Sequence, residues 1–201
     1  MDTVFVHADE SCLGNQFQDR ATPGGAAGIV EVWKSGLWER RDYWISEPDT
    51  TNNRMALRSA IEVLRTLKRS CRVHLVSDSQ YLVKGIGEWL PRWKARGWRR
   101  KGGAIENLEL WQELDGELAR HDVHPRWVRG HAGHPENEYV DLLATRAARS
   151  QTESGGLTPS GFQAWLDEAR ERGRWTDYME FAPPGERFGD EGVGGGTRAR
   201  R

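Results

Sequence analysis

The order of element patterns constrains this chain more than any other feature. Val4, Val6 and Ala8 alternate with Phe5, His7 and Asp9, so residues 3–10 read as a half-buried strand. Residues 26–33 and 38–46 read as two more strands, and Lys34-Ser35-Gly36 between them as a turn, giving an antiparallel meander. After that the pattern alternates. Thr50 and Thr51 offer N-caps for a helix over 52–68, whose Leu57, Ala60, Ile61, Leu64 and Leu67 fall at helical spacing. A short strand at 72–77, helices over 79–89 and 105–120, a strand at 124–129 and a helix over 136–149 follow. Three meandering strands and then alternating helix and strand predict an α/β fold. Its five-stranded mixed sheet has three antiparallel strands followed by two parallel ones, with helices on its faces.

Within this frame one segment is electrostatically distinct. The whole chain is near neutral, with 29 Lys and Arg against 30 Asp and Glu. Residues 84–101 nonetheless carry Lys84, Arg92, Lys94, Arg96, Arg99, Arg100 and Lys101 against Glu88 alone. Trp89, Trp93 and Trp98 are interleaved with these charges. A basic surface set with aromatic rings suits a nucleic-acid backbone, although some of the rings must pack the segment onto its domain. The 2 Cys, Cys12 and Cys71, exclude a disulfide scaffold and fit reduced thiols. No apolar run is long enough to span a membrane, and the opening MDTVFVHADES lacks the pattern of a secretory leader, so the cytoplasm is the expected compartment.

After residue 150 the texture changes. Residues 151–157 read as a polar linker, and Thr158-Pro159 as the opening of a helix over 159–173 with Phe162, Trp165, Leu166 and Ala169 on one stripe. The stripe must be buried on the domain or on a protein partner; a monomer is expected. Residues 151–182 thus form a linker and helix appended to a domain at 1–150, and residues 183–201, rich in glycine, read as a disordered tail.

Three carboxylates stand where α/β sheets concentrate chemistry, beyond strand ends. Asp9 closes the first strand, Asp78 follows the fourth, and Asp141 lies one turn into the segment after the fifth. Converging carboxylates need a cation, and hard oxygen donors favour Mg²⁺ or Mn²⁺. Two such ions about 3.5–4 Å apart serve phosphodiester cleavage.

The surrounding motifs are Asp9-Glu10-Ser11-Cys12-Leu13-Gly14-Asn15, Thr50-Thr51-Asn52-Asn53-Arg54-Met55, Ser77-Asp78-Ser79-Gln80-Tyr81, and residues 130–138, Gly-His-Ala-Gly-His-Pro-Glu-Asn-Glu, followed by Asp141. Together with Gly85-Ile86, the Trp89/Trp93/Trp98 spacing and Leu110-Trp111-Gln112, they make residues 3–149 resemble bacterial ribonuclease HI. The resemblance implies the ribonuclease H-like fold and metal-dependent endonucleolytic cleavage of the RNA strand of RNA–DNA hybrids, with 5′-phosphate and 3′-hydroxyl products. It implies that Asp9 bridges two ions, that Asp78 and Asp141 each bind one, and that His131 assists proton transfer and product release. Asn15, Thr51, Asn53, Arg54 and Gln80 match nucleic-acid contacts of the family. Trp89, Trp93, Lys94, Arg96, Trp98, Arg99, Arg100 and Lys101 match its DNA-gripping protrusion.

The chain departs from the family at the residue after Asn52-Asn53-Arg54-Met55. The family has a Glu there that binds a metal and helps recognise the RNA 2′-hydroxyl; this chain has Ala56. Glu62 points elsewhere around the helix. Glu10, where the family has Gly, is the other candidate ligand. In a regular strand it faces away from Asp9, unless the backbone turns it inward at the strand end. The same residue in the substrate path could instead obstruct RNA. Ala56 is compatible with a remodelled site that cleaves, with a hybrid-binding module that cleaves poorly or not at all, or with an introduced inactivation. Retention of Asp9, Asp78, Asp141 and His131 favours the first. A second departure is an insertion over residues 16–22, and a third is the C-terminal extension.

Overall fold

A computed structural model describes residues 1–14, 22–130 and 134–180. Asn15, residues 16–21 of the insertion, His131 and the tail from 181 onward therefore lie outside the described residues. Strands β1 (Asp2–Cys12), β2 (Thr22–Lys34) and β3 (Leu37–Thr50) form the antiparallel meander. Ser35 and Gly36, both at positive φ, make the tight turn between β2 and β3. Helix α1 (Asn52–Thr66) begins at Thr51, whose hydroxyl accepts the Arg54 amide at 3.3 Å. Strand β4 (Cys71–Ser77) then inserts parallel to β1, and β5 (Asp122–Trp127) adds parallel to β4.

Between those two strands the chain climbs away from the sheet. Helix α2 (Gln80–Lys84) runs on through a π-helical turn (Gly85–Trp89) into α3 (Leu90–Ala95), so the helix expected to stop at 89 continues. Gly85 faces the Trp111 ring so closely that a Cβ there would lie 1.9 Å from it. Helix α4 (Leu108–Leu118) packs against α1, and α5 (Pro135–Ser150) crosses the opposite face.

Among the described residues the sheet has six strands, not the five expected from sequence, in the order β5-β4-β1-β2-β3-β6. The sixth, β6 (Thr158–Pro159), pairs with Arg41 and Asp42 at the outer edge of β3. Thr158-Pro159 therefore does not open the C-terminal helix: its two residues are extended, and α6 runs over Phe162–Glu171. Helix-start chemistry and edge-strand chemistry are alike for Pro, which lacks an amide donor.

Side-chain parity divides the core. Val4, Val6 and Ala8 point towards α1 and pack with Leu57, Ala60, Leu64, Leu75 and Trp111. The other parity points towards α5 and α6, where Ile29, Tyr139, Val140, Phe162 and Leu166 form a second cluster. The amphipathic stripe of the extension is thus buried on its own domain. Among the described residues no helix is long and apolar enough to cross a membrane.

Candidate active site

Strand β1 brings two carboxylates to one end of the sheet. It stays paired with β2 through Cys12, so Asp9 lies inside the strand rather than closing it. Glu10 is accordingly in regular strand geometry, without the inward turn considered from sequence. Asp9 shares the α5 side with Ser11, whose hydroxyl accepts from Thr145 of α5 at 3.1 Å. Glu10 shares the opposite parity with Ala8 and Cys12, which pack in clusters containing Ala56 and Met55 of α1. Its position on β1 therefore faces the helix turn that carries the buried Ala56.

The Asp9 carboxylate is held at both oxygens. Oδ1 accepts the Glu10 amide at 2.7 Å, and Oδ2 accepts from Asn137 Nδ2 of α5 at 3.4 Å. Asp78 follows β4 immediately, ahead of Ser79, whose hydroxyl caps α2. Trp127 Nε1 donates to the Asp78 carbonyl at 3.0 Å and ties this turn to the end of β5. The backbone at Gly130 passes against the Asp78 carboxylate. Asp141 sits two turns into α5, half-buried, on the helix that supplies Asn137.

These groups repel one another. Burial, reinforced by Asp78, Glu10 and Asp141, pushes the Asp9 carboxyl up to about 8. Burial and Asp78 push Glu10 up to about 8 as well, against a hydrogen bond to Ser79 that acts in the other direction. Such values mean that the protein on its own keeps protons on carboxylates at neutral pH, the condition a bound cation relieves. The donor set is all oxygen, which fits a hard divalent cation. Asp9, Glu10, Asp78 and Asp141 are the residues that could hold it.

The basic segment continues from α2, which starts just after Asp78, into α3 and the loop beyond it. Trp89, Trp93 and Trp98 are half-buried and pack against the main core. Trp89 and Trp93 lie 5.9 Å apart, and Trp93 lies 5.5 Å from Trp111. Tyr81, Trp89, Trp93, Arg100 and Glu106 line an open cavity of about 300 Å³. Gly97 and Trp98 both adopt positive φ, turning the chain after α3. Arg96, Arg99, Arg100 and Lys101 are exposed, whereas Lys94 is paired with Asp115 at 2.7 Å. Of the other predicted contacts, Thr51 and Gln80 are exposed and Asn53 is half-buried. Arg54 is held by Glu109 at 2.9 Å and lies 3.9 Å from Glu47.

Sequence reasoning passed over Asn137, Ser79 and Gly130. Only their sharing of motifs with Asp141, Asp78 and His131 marks them. It also passed over a buried group behind the site. His7, Glu31 and Glu136 bring ligand-type atoms within 4.8 Å of one another. Arg40 Nε donates to Glu31 at 2.8 Å, and the Tyr178 hydroxyl donates to Glu136.

Comparison with known proteins bears on the family and the fold. The RNase H family profile matches residues 1–149. Ribonuclease H of Stutzerimonas stutzeri (strain A1501) is 48% identical over 147 residues, 72% of this chain and 91% of that one. Ribonuclease HI of Pseudomonas aeruginosa PAO1 is 46% identical over 147 residues, covering 72% and 93%. A solved structure, LC9-RNase H1, is described as a type 1 RNase H with the type 2 active-site motif. It superposes with a TM-score of 0.79 at 49% identity, over 86% of this chain and 84% of that one. With the family profile matching residues 1–149 and a curated relative 48% identical over 91% of its own length, the chain belongs to the RNase H family.

Proposed function

We propose that the chain is a divalent-cation-dependent endonuclease that hydrolyses the RNA strand of RNA–DNA hybrids to 5′-phosphate and 3′-hydroxyl ends. The observation that carries this reading is the forced proximity of carboxylates at the end of β1 and β4, with Asp9 and Glu10 both pushed up to about 8. Asp9, Asp78 and Asp141 would hold Mg²⁺ or Mn²⁺ in a two-ion site. Glu10 would take the ligand role that Ala56 vacates, because its strand position faces the same turn of α1. Bound ions of this kind polarise the scissile phosphate and lower the pKa of water.

The chain's own groups do the rest. Asn137 and the Glu10 amide orient the Asp9 carboxylate. His131 would carry a proton from an imidazole nitrogen to the leaving 3′-oxygen. Thr51, Asn53, Arg54, Gln80 and Asn15 would contact the hybrid near the scissile bond. The exposed cations and rings of residues 89–101 would grip the DNA strand. Cleavage rather than binding alone is favoured by the retention of Asp9, Asp78, Asp141 and His131 in the chain.

The test is incubation of an end-labelled RNA–DNA hybrid with the full chain in Mg²⁺ and in Mn²⁺, beside single-stranded RNA and duplex DNA. Internal cleavage of the hybrid RNA alone, abolished by Asp78→Asn, is the expected result. Tight hybrid binding with no cleavage in either metal would leave a hybrid-binding module instead.

A further inference from the structure

We propose that the C-terminal extension supports the active site: Arg174 and Tyr178 are positioning residues that hold the first turn of α5, and through its Asn137 the Asp9 carboxylate. The inference rests on Asp9 and Asp141 acting as proposed above.

The first turn of a helix is its least secured part, because its amides lack intrahelical partners. At α5 no side-chain cap among the described residues secures it, although Pro135, Glu136 and Glu138 suit a helix start. Its N-cap is His134, which makes no side-chain capping bond, and Pro135 follows. Yet this turn carries Asn137, the donor to Asp9 Oδ2, and it directly follows residues 131–133.

The extension adds a restraint from outside. Asp42 Oδ2 accepts both the Tyr139 hydroxyl at 2.6 Å and the Gly161 amide at 2.9 Å, fixing the start of α6 beside α5. Phe162 and Leu166 are fully buried against Tyr139 and Val140. After α6 the chain reverses at Gly173 and Trp175, both at positive φ. The reversal returns two side chains to the first turn of α5. Arg174 pairs with Glu138, and the Tyr178 hydroxyl donates to Glu136. Glu136 and Glu138 flank Asn137 on either side. Arg170 Nη2 donates to the Tyr178 carbonyl at 3.0 Å, and Glu180 pairs with Arg40 at 3.3 Å, so the returning segment is itself anchored. The solved relative covers 86% of this chain, more than residues 1–149 can supply, so part of the extension has a counterpart there.

The experiment compares the full chain with Tyr178→Phe, Arg174→Gln and the double variant. Gln163→Ala, on the exposed side of α6, serves as control. Hybrid cleavage is measured against substrate and against Mg²⁺ concentration, with melting temperature alongside. The double variant is expected to lose roughly tenfold in kcat, since small displacements of catalytic groups have effects of this order or larger. Half-saturating Mg²⁺ is expected to rise several-fold, while KM for the hybrid and the melting temperature stay close to wild type. Glu136→Gln combined with Tyr178→Phe should lose no more than the larger single effect. Wild-type kcat and Mg²⁺ dependence in the double variant would overturn the inference. If the wild-type chain itself fails to cleave, the proposed function fails and amide exchange decides this one. Faster exchange at 136–139 in the double variant supports the positioning role, and unchanged exchange overturns it.

Discussion

Gly130 and Asp78 are packed so closely that a Cβ on Gly130 would stand 2.3 Å from Asp78 Oδ2. The carboxylate at the end of β4 and the backbone leaving β5 therefore share one space, and only a glycine leaves room for both. Gly130→Ala must displace either Asp78 or the chain that leads to His131. We expect a fall in kcat of about a hundredfold, on the scale of a 1 Å displacement of catalytic groups. The sheet does not depend on this contact, so the melting temperature should change by only a few degrees. Steady-state cleavage and thermal denaturation of the same preparation check both parts.

The raised Asp9 and Glu10 carboxyls make the metal-free protein sensitive to pH in a definite direction. Their ordinary values are 3.8 and 4.5, and both rise to about 8 in the fold. Between those limits the folded chain retains protons that the unfolded chain has released. Their contribution to stability is complete below about pH 4 and is lost as pH rises through about 8. In EDTA the melting temperature of the wild type should therefore fall, relative to an Asp9→Asn, Glu10→Gln double variant, as pH is raised from 4 to 8. Saturating Mg²⁺ should shrink the difference, and Mg²⁺ affinity should climb over the same range as the protons leave. A difference independent of pH would show that the two carboxyls are not perturbed as described.

Parity on β1 sets up an exchange experiment. Glu10 faces the turn of α1 that contains Ala56, so a carboxylate supplied from α1 should replace one supplied from the strand. Glu10→Gly alone is expected to reduce cleavage about a hundredfold, the upper range for loss even of an outer partner of a metal ligand. Adding Ala56→Glu should restore most of it. Ala56→Glu with Glu10 retained crowds another carboxylate into the same space and should lower the melting temperature in EDTA. Hybrid cleavage in Mg²⁺ and Mn²⁺ for the three variants checks the order. Failure of the double variant to exceed Glu10→Gly would show that the two positions do not serve one ligand site.

Much of this arrangement was legible in the residues, for physical reasons that differ from place to place. The meander and the helix after Thr51 follow from apolar spacing and capping, which are local. Asp9 and Asp78 are placed near one another by the strands that carry them, β1 and β4, whose apolar runs are local signals. The sixth strand was not legible, since two residues carry no periodicity and β6 exists only because the edge of β3 is there to pair with. Nor was the grip of Arg174 and Tyr178 on α5, which joins residues 36 and 42 positions apart. Glu10 lies between these cases. Alternation placed it opposite Asp9, but that this side of the strand faces Ala56 depends on where α1 packs.

The exposed basic segment gives a prediction about salt. Arg99, Arg100 and Lys101 are exposed, while Lys94 is held by Asp115 at 2.7 Å. A cation that neutralises a phosphate releases counterions, so each such contact steepens the salt dependence of binding by roughly one unit of log–log slope. Replacing Arg99, Arg100 and Lys101 together by Gln should weaken hybrid binding strongly at low salt and flatten the slope by about one per phosphate contact removed. Lys94→Gln should have the smaller effect, because binding must first compete with Asp115. The rate of cleavage at saturating hybrid should stay near wild type, because none of the three residues is among the charges that act on Asp9 and Glu10. Titration of a fluorescent hybrid over a salt series, using the Asp78→Asn background to prevent cleavage, measures both slopes. Equal slopes for the triple variant and its parent would move the DNA grip away from this segment.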